Sequence, residues 1–395
     1  MQKLYLHIGT EKTGTTSIQR FLNDNRDILH NEGYHILKCA GKLNHRAMSA
    51  YCMDDNHFDD FFLNQQINTL DKKASFKHTF LEQFNEELRS LSSNIHSVII
   101  SSEQLHSRLT TNEDLERLKS LLDGKFSQIT IICYLREQSQ LASSLYSTAI
   151  KYGLNKNFDS FLENCTPQNK YFNYWQLLKR WSEVFGRETI KARLFSRSEL
   201  TNNNLLDDFC TSINENLLAV TNRDAPIENE SLSNTGQLIA RAVNSLSPRY
   251  DEHGFLNSER KNALNIVYSS FSGRENNISP EQYRHIYQNF KASNDKVAAQ
   301  YFDNRDSLFM YKEEAVTGTH FSEAQVSQLA KLISNIKGQW LEDDYYINLL
   351  RDAALKLENV DLLLAYNLMK IAQQGRPNGK LINRKIDEYA RKMGS

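Results

Sequence analysis

Short apolar runs alternate with longer stretches whose apolar positions recur three or four residues apart, and the alternation persists through the first 200 residues. Leu4 to Ile8 is a run of strand length. A loop from Gly9 to Gly14 follows, and from Thr15 onward Ile18, Phe21, Leu22 and Leu29 share one face at helical spacing. Gly33 to Leu37 predicts a second strand, and Ser97-Val98-Ile99-Ile100-Ser101 a third. Between them, residues 44–92 read as polar helix, with Phe58, Phe61, Phe62 and Leu63 as a buried patch. Residues 113–123 predict a helix that Gly124 ends. Gln128 to Leu135 is almost continuously apolar, which suits a central parallel strand covered on both faces. Helices over Glu137–Tyr152 and Tyr171–Phe185 and a strand over Thr189–Phe195 complete the pattern. After about residue 230 the strand signals fade. Pro226, Pro248 and Pro280 punctuate helices, and two final helices carry Leu364, Leu368 and Ile371, then Ile382, Ile386, Tyr389 and Met393. Strands alternating with helices predict an α/β fold: a P-loop-type parallel sheet flanked by helices, with a helical C-terminal region. The expected division is a core over 1–225 and a helical region over 226–395 that completes the fold and helps shape its site.

Composition narrows the function. The 395 residues hold 47 basic and 48 acidic side chains, a net charge of −1. No global field attracts nucleic acid or a membrane surface, so any anion must be bound locally. Apolar runs fall short of the roughly 18 residues of a membrane helix. Cys39, Cys52, Cys133, Cys165 and Cys210 form no CxxC pair and no His-Cys metal spacing. Reduced thiols, a cytoplasmic location and no metal are the expectation.

The chemistry concentrates in Gly9-Thr10-Glu11-Lys12-Thr13-Gly14-Thr15-Thr16. Gly9 and Gly14 have the separation of the glycines in a phosphate-binding Walker loop, where backbone N–H groups and a helix N-terminus hold an anion. That motif places Lys-Ser/Thr directly after the second glycine; here Thr15-Thr16 stand there, and Lys12 precedes it by two residues. The usual grip on a β/γ-phosphate and Mg²⁺ is missing. Farther along, Arg136 ends an apolar strand and Ser144 follows eight residues later in a helix, where the two can converge on a second anion.

Lys12-Thr13-Gly14-Thr15-Thr16-Ser17, within Leu6-His7-Ile8-Gly9 through Ile18-Gln19, resembles the phosphosulfate loop of sulfotransferases, especially the bacterial carbohydrate-type branch. Leu135-Arg136 to Ser144-Leu145-Tyr146 is similar to the 3′-phosphate motif of the same family. Weaker likeness continues through Tyr174-Trp175, Arg193-Leu194-Phe195, Asn229-Glu230-Ser231-Leu232 and Ser293-Asn294. The resemblance implies the donor 3′-phosphoadenosine 5′-phosphosulfate (PAPS). It implies that Lys12, Thr13, Gly14, Thr15, Thr16 and Ser17 hold its 5′-phosphosulfate and Arg136 and Ser144 its 3′-phosphate. One departure stands out: many relatives carry proline or aspartate soon after the arginine, and here Glu137-Gln138-Ser139 stand there. The acceptor would be a hydroxyl of a surface polysaccharide or glycolipid.

Transfer to a hydroxyl benefits from a general base. Glu103 follows the strand Ser97–Ser101 and should emerge at the carboxyl edge of the sheet. His106, three residues on, and His45, in an Asn-His pair that resembles a recurrent one of the bacterial branch, are the other candidates. His7 is expected to be packed, and Tyr171, Phe172, Tyr174 and Trp175 to be core or stacking residues. The rival function is a P-loop kinase using ATP and Mg²⁺. Neither the acceptor nor the oligomeric state is written in the sequence.

Overall fold

The computed structural model describes residues 1–223, 232–250, 256–271, 273, 278–303, 305–311, 344–359 and 361–393. Asn229-Glu230-Ser231 and Pro226 lie outside them. Two compact units are interleaved along the chain. One gathers the described residues of Met1–Leu141, Cys165–Glu228 and Arg284–Lys312; the other gathers those of Ala142–Asn164, Asn229–Tyr283 and Glu313–Ser395. Beside the linear cut expected at 225/226, this grouping puts Ala142–Asn164 with the later unit and the described residues of Arg284–Lys312 with the earlier one.

The first unit is built on a five-stranded sheet. Its strands are β1 (Gln2–His7), β2 (Tyr34–Ile36), β3 (Ser97–Ser101), β4 (Phe126–Leu135) and β5 (Ile190–Leu194), ordered β2-β3-β1-β4-β5 with every pair parallel. The α/β prediction therefore holds, strand by strand. Leu4 and Leu6 of β1 and Ile131–Leu135 of β4 are fully buried, as strands covered on both faces must be. The centre, however, belongs to β1 rather than β4. Leu6 pairs with Ile100 on one side and Ile131 on the other, and His7 pairs with Ser101 and Ile132. The carboxyl ends of β1 and β3 thus come level, and β4 runs three residues beyond them. Helices Thr15–Asp24, Asn112–Leu122 and Tyr174–Phe185 present the expected apolar faces. Of the Phe58–Leu63 patch, Phe62 is buried, but Leu63 is exposed. The helix Asp60–Asn64 is too short to bury more than one side of itself.

Asp208 locks β4, β5 and the helix Leu205–Ile213 together. Its fully buried carboxylate accepts from Tyr134 Oη at 2.8 Å, from Arg193 through Nε at 2.9 Å and again through Nη2, and from the Thr201 N–H at 3.0 Å. Burial favours its neutral form, but Arg193 and these donors outweigh that and lower its pKa. A buried charge is tolerable only with such saturation.

The second unit is helical. Asn234–Leu246, Ser258–Ser270, Asp344–Leu357, Leu362–Gly375 and Lys380–Met393 share a core that includes Ile239, Val267, Leu350 and Leu368. Asn244 donates to the carbonyls of Ile150 and Leu154 and accepts from Arg260, which satisfies three buried groups at once. The last two helices pack Leu364, Leu368 and Ile371 and Ile382, Ile386 and Tyr389 inward as predicted, whereas Met393 points to solvent.

Asp208→Ala is expected to strand Tyr134 Oη and the half-buried Arg193, at a cost of about 3 kcal/mol. Urea unfolding of the variant should give a free energy of unfolding lower by that amount, seen as a lower midpoint at unchanged slope.

Candidate functional site

The loop after β1 is an extension of the sheet. Beyond His7, the Ile8 N–H donates to the Ile132 carbonyl, the Tyr134 N–H donates to the Gly9 carbonyl at 2.7 Å, and the Thr10 N–H donates back to the Tyr134 carbonyl. Two hydroxyls then fix the loop's inside: Thr10 Oγ1 donates to the Tyr134 carbonyl, and Thr13 Oγ1 donates to the Thr10 carbonyl at 2.6 Å. Thr13, expected to touch the donor, is buried and gives its hydroxyl proton to the loop's own Thr10 carbonyl. Thr15 is also buried, while Thr16 is exposed and Ser17 half-buried.

Gly14 closes the loop as the N-cap of Thr15–Asp24, with φ 76° and no side chain capping the helix. The Thr15 and Thr16 N–H groups in that first turn have no intrahelical acceptor. A Cβ at Gly14 would lie 2.3 Å from Leu205 Cδ2 and 3.4 Å from Phe195 Cε2, so glycine is required by space as well as by φ. Lys12 sits on the loop itself, at φ 64°, as its position before the second glycine implied. The result is an uncapped helix end carrying partial positive charge, with a lysine beside it: an anion cradle independent of net charge.

Arg136 reaches this same loop. Its Nη1 donates to the Lys12 carbonyl at 2.9 Å, its guanidinium lies 5.6 Å from the centroid of the Phe195 ring, and its own carbonyl accepts from Tyr174 Oη at 2.5 Å. Residues 124 apart in sequence thus meet at one place. The departure at Glu137 has a structural account. Its buried carboxylate accepts from the N–H groups of Ser139 and Gln140 and from the Ser139 hydroxyl, so it caps the helix Gln138–Lys151. Burial raises its pKa against those donors. Ser144 lies in the second turn of that helix, half-buried, its carbonyl accepting from Thr148 Oγ1; it belongs to the second unit.

Glu103 stands on the other side of the loop, after the end of β3. A Cβ at Gly9 would come within 3.1 Å of Glu103 Cβ and 3.2 Å of its Cα. Amides hold its carboxylate: Gln19 Nε2 donates to Oε2 at 2.6 Å, and Asn44 Nδ2 and Gln104 Nε2 donate to Oε1 at 3.0 and 3.1 Å. Asn44 is steadied by the Ser102 hydroxyl, which donates to its Oδ1. Gln19 comes from the helix that the loop opens, so the anion cradle and Glu103 are tied directly.

The histidines divide differently from expectation. His45 is fully buried, and its Nδ1 accepts from the Ser101 N–H at 2.8 Å, which assigns the proton to Nε2. Burial first, then Arg26, lowers its pKa to about 4. His106 is likewise buried; its Nε2 donates to the Tyr171 carbonyl at 3.2 Å, and burial brings its pKa to about 4. His7, packed as predicted, bonds Ser101 Oγ through Nδ1 at 2.8 Å and is lowered by burial to about 3. Three neutral, enclosed imidazoles make a scaffold for the strand ends, and Glu103 is the solvent-reachable carboxylate among the base candidates.

Sequence reasoning missed Gln19, gave Glu11 no role, and took Tyr171 as a core or stacking residue. Tyr171 Oη donates to Glu11 Oε2 at 2.7 Å. Burial and Glu11 both keep that phenol protonated. Burial pulls the Arg108 pKa down, but Glu11 and Asp59 outweigh it. The loop's acid is thereby occupied by its own partners. Gln19 carried one signal: a glutamine beside Ile18 at a position that proves buried. Phe172 and Tyr174 are core residues, as expected. Among the described residues no group of His, Cys, Asp and Glu could hold a metal, and no helix is long and apolar enough to cross a membrane.

No family model matches the sequence. An uncharacterized protein of Archaeoglobus fulgidus is 28% identical over 223 residues, 55% of this chain. The chain spans 57% of the length of that curated relative. The crystal structure of a sulfotransferase from Alicyclobacillus acidocaldarius aligns at 17% identity and a TM-score of 0.38, over 58% of this chain and 87% of that one.

Histidines held neutral couple stability to pH. In the unfolded chain they take up protons near the ordinary imidazole value of 6.5; folded, His45 and His106 resist until about 4. Their contribution is full above 6.5 and is lost as pH falls towards 4. The urea midpoint should drop between pH 7 and pH 5, and a folded His106→Gln variant should show a smaller drop.

Proposed function

We propose that this chain is a PAPS-dependent sulfotransferase acting on a hydroxyl of a carbohydrate acceptor. One observation carries the reading: an uncapped, glycine-closed loop has Lys12 on it, Arg136 bonded to its backbone and Glu103 against Gly9. A kinase loop has its lysine after the second glycine and needs no arginine for a 3′-phosphate. The N–H groups at the start of the helix, with Thr16 and Ser17, would hold the 5′-phosphate; Arg136, with Ser144 as the resemblance implies, would hold the 3′-phosphate. PAPS supplies an activated sulfuryl group. The acceptor oxygen forms a bond to sulfur while the bond from sulfur to the 5′-phosphate oxygen breaks, and that oxygen leaves with the electron pair. Lys12 neutralises the charge developing there. Glu103 takes the acceptor's proton, held in line by Gln19, Asn44 and Gln104. Neither step calls for a metal. The proposed location is the cytoplasm, where PAPS would be met.

Calorimetric titration tests the donor. 3′,5′-ADP should bind without metal and at least tenfold more tightly than ADP, and Arg136→Ala should weaken it by about tenfold or more, or about 1.4 kcal/mol. Equal affinity for ADP, with no effect of Arg136→Ala, would return the site to a kinase. Glu103→Gln should retain 3′,5′-ADP affinity while turnover with a competent acceptor falls by about 10²–10⁴-fold. Full turnover in that variant removes Glu103 as base.

A further inference from the structure

We propose that the open cleft of about 690 Å³ between the helix Leu70–Arg89 and the loop 39–45 is the acceptor subsite, and that it takes a neutral oligosaccharide chain. The proposal rests on the sulfotransferase reading above and adds where the acceptor lies and what its chemistry is.

The cleft is a built feature. Glu87, on the helical wall, accepts from the N–H groups of Lys38 and Cys39 at 2.7 and 2.8 Å and from His35, pinning the loop to the helix at one end. Arg46, just past the loop, pairs with Asp59, the cap of the short helix that carries Phe61. At the third side Lys72 Nζ donates to the Gln66 carbonyl at 3.0 Å and to Asn68 Oδ1 at 3.2 Å, holding Gln66 at φ 58°. Three separate ties therefore fix the walls before any ligand arrives.

The lining selects the occupant. Phe61 and Phe76 are half-buried, so part of each ring faces the cleft, over a floor that includes the buried Phe80. Around them stand the exposed amides of Gln65, Gln66 and Gln83, which can both donate and accept. Among the described residues no carboxylate lines the cleft, and the cation there, Lys72, bonds Gln66 and Asn68. Sugar hydroxyls need partners that donate and accept, and the C–H face of a pyranose needs an apolar plate. A nucleic acid would need several cations. A lipid chain would want walls free of amides.

The segment that walls the cleft also carries a partner of Glu103. Gly41 and Ala47 line it, and the carbonyl of Asn44 lies 2.3 Å from where a Gly41 Cβ would stand. The side-chain amide of the same Asn44 donates to Glu103 Oε1. One loop thus forms a wall of the cleft and aims the base.

The full-length chain should be applied to an array of defined neutral hexasaccharides, α- and β-linked, with and without N-acetyl groups, beside a heparin hexasaccharide. At least one neutral hexasaccharide should be retained, and the double variant Gln66→Ala/Gln83→Ala, altered only at exposed side chains, should bind it at least tenfold more weakly with unchanged 3′,5′-ADP affinity. Retention of no neutral hexasaccharide, preference for heparin, or indifference to the double variant overturns the proposal. If sugars fail while 3′,5′-ADP binds, only the cleft assignment falls. If sugars bind through Gln66 and Gln83 while 3′,5′-ADP does not, the cleft stands and the sulfotransferase reading falls.

Discussion

Main-chain pairing between β1 and β4 runs past the last strand residue into the loop, and the whole candidate site depends on it. The Tyr134 N–H on the Gly9 carbonyl and the Thr10 N–H on the Tyr134 carbonyl make the loop an edge of the sheet rather than a connection over its surface. Loops of ordinary length move because their backbone groups bond to water. Here the sheet takes those groups, and the buried Thr10 and Thr13 hydroxyls take the loop's own carbonyl and that of Tyr134. What the sheet leaves unsatisfied is the start of the next helix, and that is where an anion is wanted.

Rigidity on one side is matched by a polar hinge of amides on the other. Gln19, Asn44 and Gln104 surround the Glu103 carboxylate with neutral donors and bring no cation against it. Neutral donors orient a carboxylate without the strong field of an arginine. Meanwhile Glu11, which would repel an anion from within the loop, is turned to Tyr171. The loop's acid is engaged in this way, and Lys12 is carried on the loop beside the helix start.

The elements and their order were legible in the sequence because hydrophobic period carries them. Ser97–Ser101 was read to the residue, and the glycines at 9 and 14 marked the loop. The chemistry of individual side chains was less legible, since it depends on which face of an element the topology covers. His45 and His106 differ from Glu103 only in being enclosed, and nothing local to them in sequence says so. Thr13 looked like a ligand because hydroxyls beside phosphate loops can be ligands; its partner is the carbonyl three residues back. The interleaving of the two units was hidden for a related reason: the crossing at residue 141/142 falls inside one uninterrupted helix, which has no composition break to betray it.

Gly9 has a further consequence for inheritance. Its missing Cβ is what lets Glu103 stand against the loop, so the two positions are one decision made 94 residues apart. A lineage that places any side chain at 9 must push back residue 103, and with it the amides that Gln19 and Asn44 have set for it. Residues 9, 19, 44 and 103 should therefore pass down or drift together, as a block that sequence distance disguises.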